Sequence, residues 1–232
     1  MTTSCMLSVI VPIHKHHSQL ELIRDTVRTT TIPTELVIVV NNPQLENHIQ
    51  AQYAHERVVR CRCIGRGYAF LTGIQYAQGE VILLLHADTT LPRDWSTAIL
   101  TALQNQKCVG GGFSLSFDNS TLFLKLLVML SNIRFSLTGV MFGDRAIFSR
   151  ADILKKCLAS LNVPIFEDVQ LSQCLRKHGT TVLLKTHVVT SAEAFHMRGM
   201  WNHLRRILKC QLWYALGGDL EKIYRYYYSV ND

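Results

Sequence analysis

The acidic residues that could do chemistry in this chain stand where a fold would present them to a ligand. His86-Ala87-Asp88 directly follows the apolar run Val81 to Leu85. A carboxylate at the end of a buried strand can hold Mg2+ or Mn2+, ions that take one or two protein carboxylates and complete their shell with water and phosphate oxygens. Asp88 equally fits a turn cap ahead of Leu91-Pro92, with Thr89 and Thr90 assisting. Glu167-Asp168 is a carboxylate pair at the start of an amphipathic stretch. It could supply a general base for an attacking hydroxyl, or cap a helix whose dipole favours acids there. Gly65-Arg66-Gly67 joins a turn, a guanidinium and a helix start, which suits a phosphate and also an ordinary strand-to-helix turn. Gly143-Asp144-Arg145 offers Asp144 to sugar hydroxyls, to Arg145 or to solvent. His14, His16 and His17 form a polar cluster, but no HExxH spacing is present, and no GxSxG elbow supports a serine nucleophile.

The elements that must carry these groups alternate. LSVIVPI (Leu7 to Ile13), ELVIVVNN, RVVRCRC and GEVILLLHAD read as strands, and the segments between them read as helices, among them Tyr68 to Tyr76. Apolar, β-branched runs without a polar alternation belong to a parallel sheet covered on both faces. Strand–helix alternation predicts βαβ units in a doubly wound sheet. Ligands in such sheets bind beyond the carboxyl ends of the strands. Pro12, Asn41, Asn42, His86 and Asp88 occupy those ends.

The second half adds a helix from about Arg93, a glycine-rich strand at Gly110 to Phe113 and an apolar helix from Leu122. A helix opening at Glu167 and a strand TTVLLKTHVV follow, then two amphipathic helices near Gly199–Leu216 and Leu220–Tyr227. No repeat or linker divides the chain, so we expect one domain over 1–232 with a helical appendage at about 199–232.

Composition narrows the class. The 232 residues are 48% hydrophobic and 18% charged, which excludes a disordered or fibrous chain. A net charge of +7 points to an anionic partner. The seven cysteines are scattered without a CxxC pair, so structural zinc and a disulfide framework are not expected and buried free thiols in a reducing cytosol are. The N-terminus lacks signal-peptide features, and the longest greasy stretch, Leu122 to Leu130, is too short to span a bilayer. A cytoplasmic protein, soluble or peripheral on the inner membrane face, is the expectation. His196 to Gly218 contains Arg198, Arg205, Arg206 and Lys209 and no acid, with an apolar stripe at Trp201, Leu204, Leu208, Leu212 and Ala215. That stripe fits an interfacial helix or one packing on its own domain.

The succession SVIVP, ELVIVVNN, GRGYAFLTGIQYAQGEVILLLHADTTLP, GDRAIFSR, FEDVQLSQCLRKHG and TSAEAF resembles the family 2 glycosyltransferases, in particular a small bacterial subgroup with an HAD metal motif and an EDV-x-L base motif. The resemblance runs from about Leu7 to Leu216. It implies the GT-A fold: a Rossmann-like, mixed and mainly parallel α/β sheet flanked by helices, with about 1–92 as the nucleotide-binding half and about 93–198 as the acceptor half. It also implies Asp88 as the metal ligand with His86 beside it, Mg2+ or Mn2+ as cofactor, and Asp168 as catalytic base with Glu167 second. Pro12, Asn41, Arg66 and Gly67 would meet the nucleotide, and Gly143 and Asp144 the acceptor. The implied reaction is an inverting transfer from a UDP- or GDP-linked sugar to an unidentified hydroxyl acceptor, a lipid-linked one among the candidates. Departures cluster on the donor side: His14-Lys15-His16 after Pro12, Asn41-Asn42 in place of an Asp-rich turn, and Glu193-Ala194-Phe195 in place of a basic-aromatic segment, with His196 and Arg198 as substitute charges. The rival readings are an inactive nucleotide-binding or regulatory protein on the same fold, and a peripheral membrane module. A nucleic-acid module has no supporting motif.

Overall fold

The computed structural model describes residues 7–14, 19–119 and 121–229. Cys5, Lys15, His16 and His17 of the sequence reading lie outside them. The elements run β1 (Leu7–Ile13), α1 (Gln19–Arg28), β2 (Thr34–Val40), α2 (Pro43–Gln52), β3 (Arg57–Arg60), α3 (Arg66–Tyr76), β4 (Val81–Leu84), β5 (Thr89–Thr90), α4 (Trp95–Leu103) and β6 (Cys108–Phe117). They continue with α5 (Leu122–Thr138), β7 (Ile147–Arg150), α6 (Ala151–Lys156), α7 (Glu167–His178), β8 (Thr180–Thr190), α8 (Glu193–Arg198), α9 (Met200–Ala215) and α10 (Leu220–Tyr228). Short 3-10 turns occupy Gly143–Arg145 and Leu158–Leu161.

One eight-stranded sheet has the order β3-β2-β1-β4-β7-β6-β8-β5. The first four strands pair in parallel, β7 runs antiparallel to β4 and β6, and β6 pairs in parallel with β8. The chain winds outward from β1 to β3 and returns on the other side of β1 as β4. The carboxyl ends of β1, β2 and β4 therefore open at a switch point, where open α/β sheets bind ligands.

Period-2 side-chain alternation explains the unbroken apolar runs. Val9, Val11, Ile38 and Leu83 enter one core, with Leu20 and Ile23 of α1 and Trp95 and Ile99 of α4. Ile10, Val37, Val39 and Ile82 enter the other, with Phe70 and Ile74 of α3 and Leu171 and Leu175 of α7. Each such side chain contributes about 1.5–3 kcal/mol on full burial, so both faces must be apolar and the sheet must be covered on both.

Two expectations need correction. The third strand stops at Arg60, so Cys61 and Cys63 lie beyond it, with the Cys61 thiol donating to Cys63 O. Cys157 and Cys174 form a disulfide that ties the end of α6 to α7, and Cys63 is exposed, so among the described residues buried free thiols are Cys61, Cys108 and Cys210. The bridge joins residues 17 apart in sequence, which the packing of α6 and the Leu158–Leu161 turn on α7 brings together. Finally, the stripe on α9, for which two readings are open, mostly faces solvent, with Leu204 half-buried. Trp201, Leu208 and Leu212 are exposed, and the buried face is His203, Arg206 and Cys210.

Candidate active site

Three separated motifs meet at Gly143. Its N–H donates to Asp168 Oδ2 at 2.7 Å. Its Cα faces His86 so closely that an added Cβ would stand 2.3 Å from His86 Nε2. HAD at the end of β4, GD in its 3-10 turn and ED at the start of α7 are thus brought into contact. His86, Gly143, Glu167 and Asp168 line one small cavity with Phe70, Leu84, Ile147, Leu161 and Leu171. It has room for about a single water.

The two acids have different partners. Asp168 Oδ1 accepts from Val169 N–H at 2.7 Å while Oδ2 takes Gly143. Ser172, one turn on, donates to Asp168 O at 2.7 Å and accepts from Met141 N–H at 3.0 Å, which fixes the loop against α7. Glu167 faces the other way. Its Oε1 lies 3.1 Å from Arg66 Nε in a buried ion pair too bent for a hydrogen bond, and neither of its oxygens has a hydrogen-bond partner.

Burial, opposed by Arg66, pushes the Glu167 carboxyl up to about 7. Burial also raises Asp168, against the pull of Arg66 and the two amides. His86 moves the other way. Burial and the nearby Arg66 lower it, outweighing Asp88, Asp144 and Asp168, so the imidazole is neutral at pH 7. Burial alone would lower Arg66, but the charges around it, Glu167 foremost, hold it well above its ordinary value.

Asp88 sits in the turn after β4, half-buried, in a loop closed by Thr89 N–H to His86 O at 3.1 Å. Its carboxylate accepts from Thr89 Oγ1 at 3.3 Å, and its carbonyl accepts from Ser191 N–H. The β5–β8 pairing, Thr89 against Thr190, sets the TSA segment beside HAD. Asp144 is half-buried. The Arg145 guanidinium turns inward to Phe113 O, Ser131 Oγ and Asn132 Oδ1.

On the donor side, Asn41 Oδ1 lies 3.1 Å from His14 Nδ1 at the ends of β2 and β1. Pro12 is half-buried within β1, paired with Val39. Asn42 caps α2 by accepting from Gln44 N–H. Gly67 sets the spacing between α3 and the loop before α7, since a Cβ there would stand 2.2 Å from Val163 O. Arg198 donates to Tyr227 O, and His196 meets Asn119.

Some contributors carry no sequence signal. Phe166 adopts φ +61° immediately before Glu167, and Ala146 adopts φ +48° after Gly143–Arg145. Left-handed backbone at non-glycine residues costs on the order of 1–3 kcal/mol and gathers at functional sites. Stacking of Phe166 on Tyr214 of α9, 4.5 Å between ring centres, helps hold it. The α9–α10 pair thereby becomes a wall of the site, with Cys210 and Ile223 buried against Ile165, Phe166 and Val169.

Residues 8–152 match the family described as Glycosyl transferase family 2. The chain belongs to that family. Its fold is the GT-A fold of glycosyltransferases with solved structures. A mannosyltransferase, PcManGT from Pyrobaculum calidifontis, crystallised with GDP-Man and Mn2+, superposes with a TM-score of 0.63 at 19% identity over 90% of this chain and 62% of that one. Glucosyl-3-phosphoglycerate synthase from Mycobacterium tuberculosis, crystallised with Mn2+, UDP and glucosyl-3-phosphoglycerate, gives 0.56 at 13% over 92% and 81%. S. aureus TarS 1-349 with UDP-GlcNAc gives 0.60 at 14% over 80% and 58%. The chain thus spans 58% of the TarS chain and 62% of the mannosyltransferase. No curated protein matches it.

Proposed function

We propose that this family 2 chain moves a sugar from a UDP- or GDP-sugar to an acceptor hydroxyl, with inversion at the anomeric carbon. The observation that carries the reading is the meeting of HAD, GD and ED at Gly143, with His86 against its Cα and Asp168 on its N–H. Three segments that a nucleotide, a metal and a base would need share one short stretch of backbone.

In this reading Asp168 takes the proton from the acceptor hydroxyl as that oxygen bonds to the anomeric carbon. The bond from that carbon to the diphosphate oxygen breaks, and the nucleoside diphosphate leaves. A base in water-poor surroundings works best with a pKa near the working pH, and burial raises both Asp168 and Glu167 toward it. The two amide bonds hold Asp168 in one orientation while leaving lone pairs free for the hydroxyl. Glu167 positions Arg66, whose charge suits the donor diphosphate. Asn41, which can both donate and accept, would meet the base.

Asp88 fits a divalent ion as a hard oxygen donor, half-buried and held by a single long side-chain bond. Among the described residues the one group of three close candidate ligand atoms is Cys157, Cys174 and His178, and the two sulfurs are tied in a disulfide. Asp88 would therefore share Mg2+ or Mn2+ with donor phosphates and water. When bound, the ion supplies charge neutralisation to the departing diphosphate. A neutral His86 adds no positive charge against it.

Calorimetry with UDP, GDP and their sugars, with and without Mn2+, tests the proposal. Metal-dependent binding together with slow donor hydrolysis is expected. Absence of binding would overturn it, and tight binding without hydrolysis or transfer would instead favour the inactive nucleotide-binding reading.

A further inference from the structure

Two helices beside the site turn apolar faces outward. On α5, Leu122, Leu126, Met129, Ile133 and Leu137 recur at spacings of four, three, four and four residues, which is one face of a helix. All five are exposed, Leu137 at 79%, and Leu124 is the buried residue of that helix. On α9, Trp201, Leu208 and Leu212 form a second exposed stripe, with Trp201 at 65%. The inward face of α9 is polar, with Arg206 donating to Tyr226 O and Ser229. Each helix therefore turns an apolar stripe to solvent in addition to the residues it packs inward, which an ordinary surface helix does not do.

The two helices meet at their N-terminal ends. Phe123 of α5 meets Trp201 of α9 edge to face, 5.3 Å between ring centres. Neither 122–138 nor 196–218 contains an acid. Exposed Lys125, Arg205 and Lys209 supply positive charge at the borders of the stripes. Contiguous exposed apolar area with a polar rim marks an interaction site.

We propose that α5 and α9 together dock this chain on an anionic lipid bilayer. Charge selects that occupant. Two copies meeting through this surface would bring basic borders face to face, whereas anionic headgroups complement them. An apolar stripe with aromatic and basic residues is what a helix lying in the interface requires. No helix among the described residues is long and apolar enough to cross a membrane, so the helices lie on it.

The surface borders the site. α5 ends at Gly139 and leads through Val140–Phe142 to Gly143, which holds Asp168, and Arg134 of α5 lies over the Phe142 ring. α9 stacks Tyr214 on Phe166, the residue before Glu167. Docking therefore faces the site's edge toward the bilayer. An acceptor hydroxyl carried on a lipid follows from this, a consequence that rests on the transfer reading; the docking does not.

Flotation of the full chain with phosphatidylcholine vesicles, with and without phosphatidylglycerol, tests the docking apart from any activity. The chain is expected to float with the anionic vesicles and to be released by high salt. Leu126→Glu with Leu130→Glu on α5, and separately Leu208→Glu with Leu212→Glu on α9, should each cut the floated fraction about tenfold. Circular dichroism and melting of both variants should match the parent, because these side chains are exposed. A parent chain that stays soluble beside anionic vesicles overturns the proposal, as do α5 variants that float like the parent. Light scattering showing a lipid-free dimer that the same variants split would assign the surface to a second copy, and would also overturn it.

Discussion

Arg66 Nε lies 3.1 Å from Glu167 Oε1, with both atoms sealed from solvent. The pair joins the first residue of α3 to the first residue of α7, the helix that carries Asp168. Taking two charges out of water costs several kcal/mol for each ion, so mutual attraction must offset a large desolvation. The pair is accordingly poised: Glu167 titrates near 7, where loss of its charge would free Arg66 for another anion.

Arg66→Gln should expose this poise. Removing one member of a buried pair costs roughly 3–5 kcal/mol when the other stays charged. Arg66 opposes the burial that raises Glu167, so without it the carboxyl shifts higher still. The destabilisation should therefore be small near pH 5, where Glu167 is already protonated, and grow toward pH 8. Urea unfolding at both pH values measures it. Equal losses at the two would mean that Arg66 supports the fold through packing and not through the pair.

The base assignment predicts a pH profile. Glu167 has a folded value of about 7 against an ordinary 4.5. Its fold favours the protonated form, so its stabilisation is complete below about 4.5 and is lost as pH rises through about 7. Turnover should do the opposite, rising with pH as the base loses its proton. Asp168→Asn should lower kcat about 100- to 10,000-fold and leave nucleotide affinity in place. Glu167→Gln should remove the stability slope across that window and move the acid limb of kcat down, because Arg66 then acts on Asp168 alone. An unchanged limb in Glu167→Gln would show that the two acids titrate independently.

Strand ends could be read from the sequence because burial on both faces leaves no choice but continuous apolar residues, as in Val9 to Val11 and Ile82 to Leu84. The ends of those runs put His86, Asp88 and Asn41 just beyond β4 and β2. RVVRCRC misled by a few residues, since its alternation continues past the point where pairing with β2 stops at Arg60. Helix periodicity found α9 but not its orientation. A stripe at Trp201, Leu208 and Leu212 looks the same whether it faces a core or solvent, and only the buried His203, Arg206 and Cys210 decide. The tie from Gly143 to Asp168 spans 25 residues and runs through a backbone N–H, which leaves no trace in residue type. Phe166 in left-handed backbone is similarly silent, because glycine would be the residue expected there.

Metal dependence should be separable from folding at Asp88. The side chain is half-buried, and its bond with Thr89 Oγ1 is long at 3.3 Å. Asp88→Asn keeps the shape and removes the charge, so unfolding free energy should change by no more than about 0.5 kcal/mol. The dependence of nucleotide affinity on Mn2+ should disappear, and turnover should fall as though the metal had been chelated. Calorimetry with and without Mn2+ reads this directly. Undiminished metal-dependent binding in the variant would place the ion on other residues.

Gly67→Ala tests how closely α3 must approach the loop before the base. The new Cβ would stand 2.2 Å from Val163 O and 2.6 Å from Leu161 O, both backbone atoms that no side-chain rotation can clear. Alanine favours helix over glycine by up to about 1 kcal/mol, but overpacking a tight contact costs about 1–3 kcal/mol. A net loss is therefore expected, with 161–163 forced away and the displacement passed through Pro164 to Phe166 and Glu167. Gly217→Ala is the control: its backbone is at φ +77°, yet nothing lies within 4 Å of the added carbon. That variant should lose only the cost of left-handed backbone, about 1–2 kcal/mol, and keep its nucleotide affinity. Gly67→Ala should lose affinity as well, because Arg66 is its neighbour and Glu167 moves with the loop. Comparable melting with intact affinity in Gly67→Ala would show that the 161–167 segment yields freely and does not fix the Arg66–Glu167 pair.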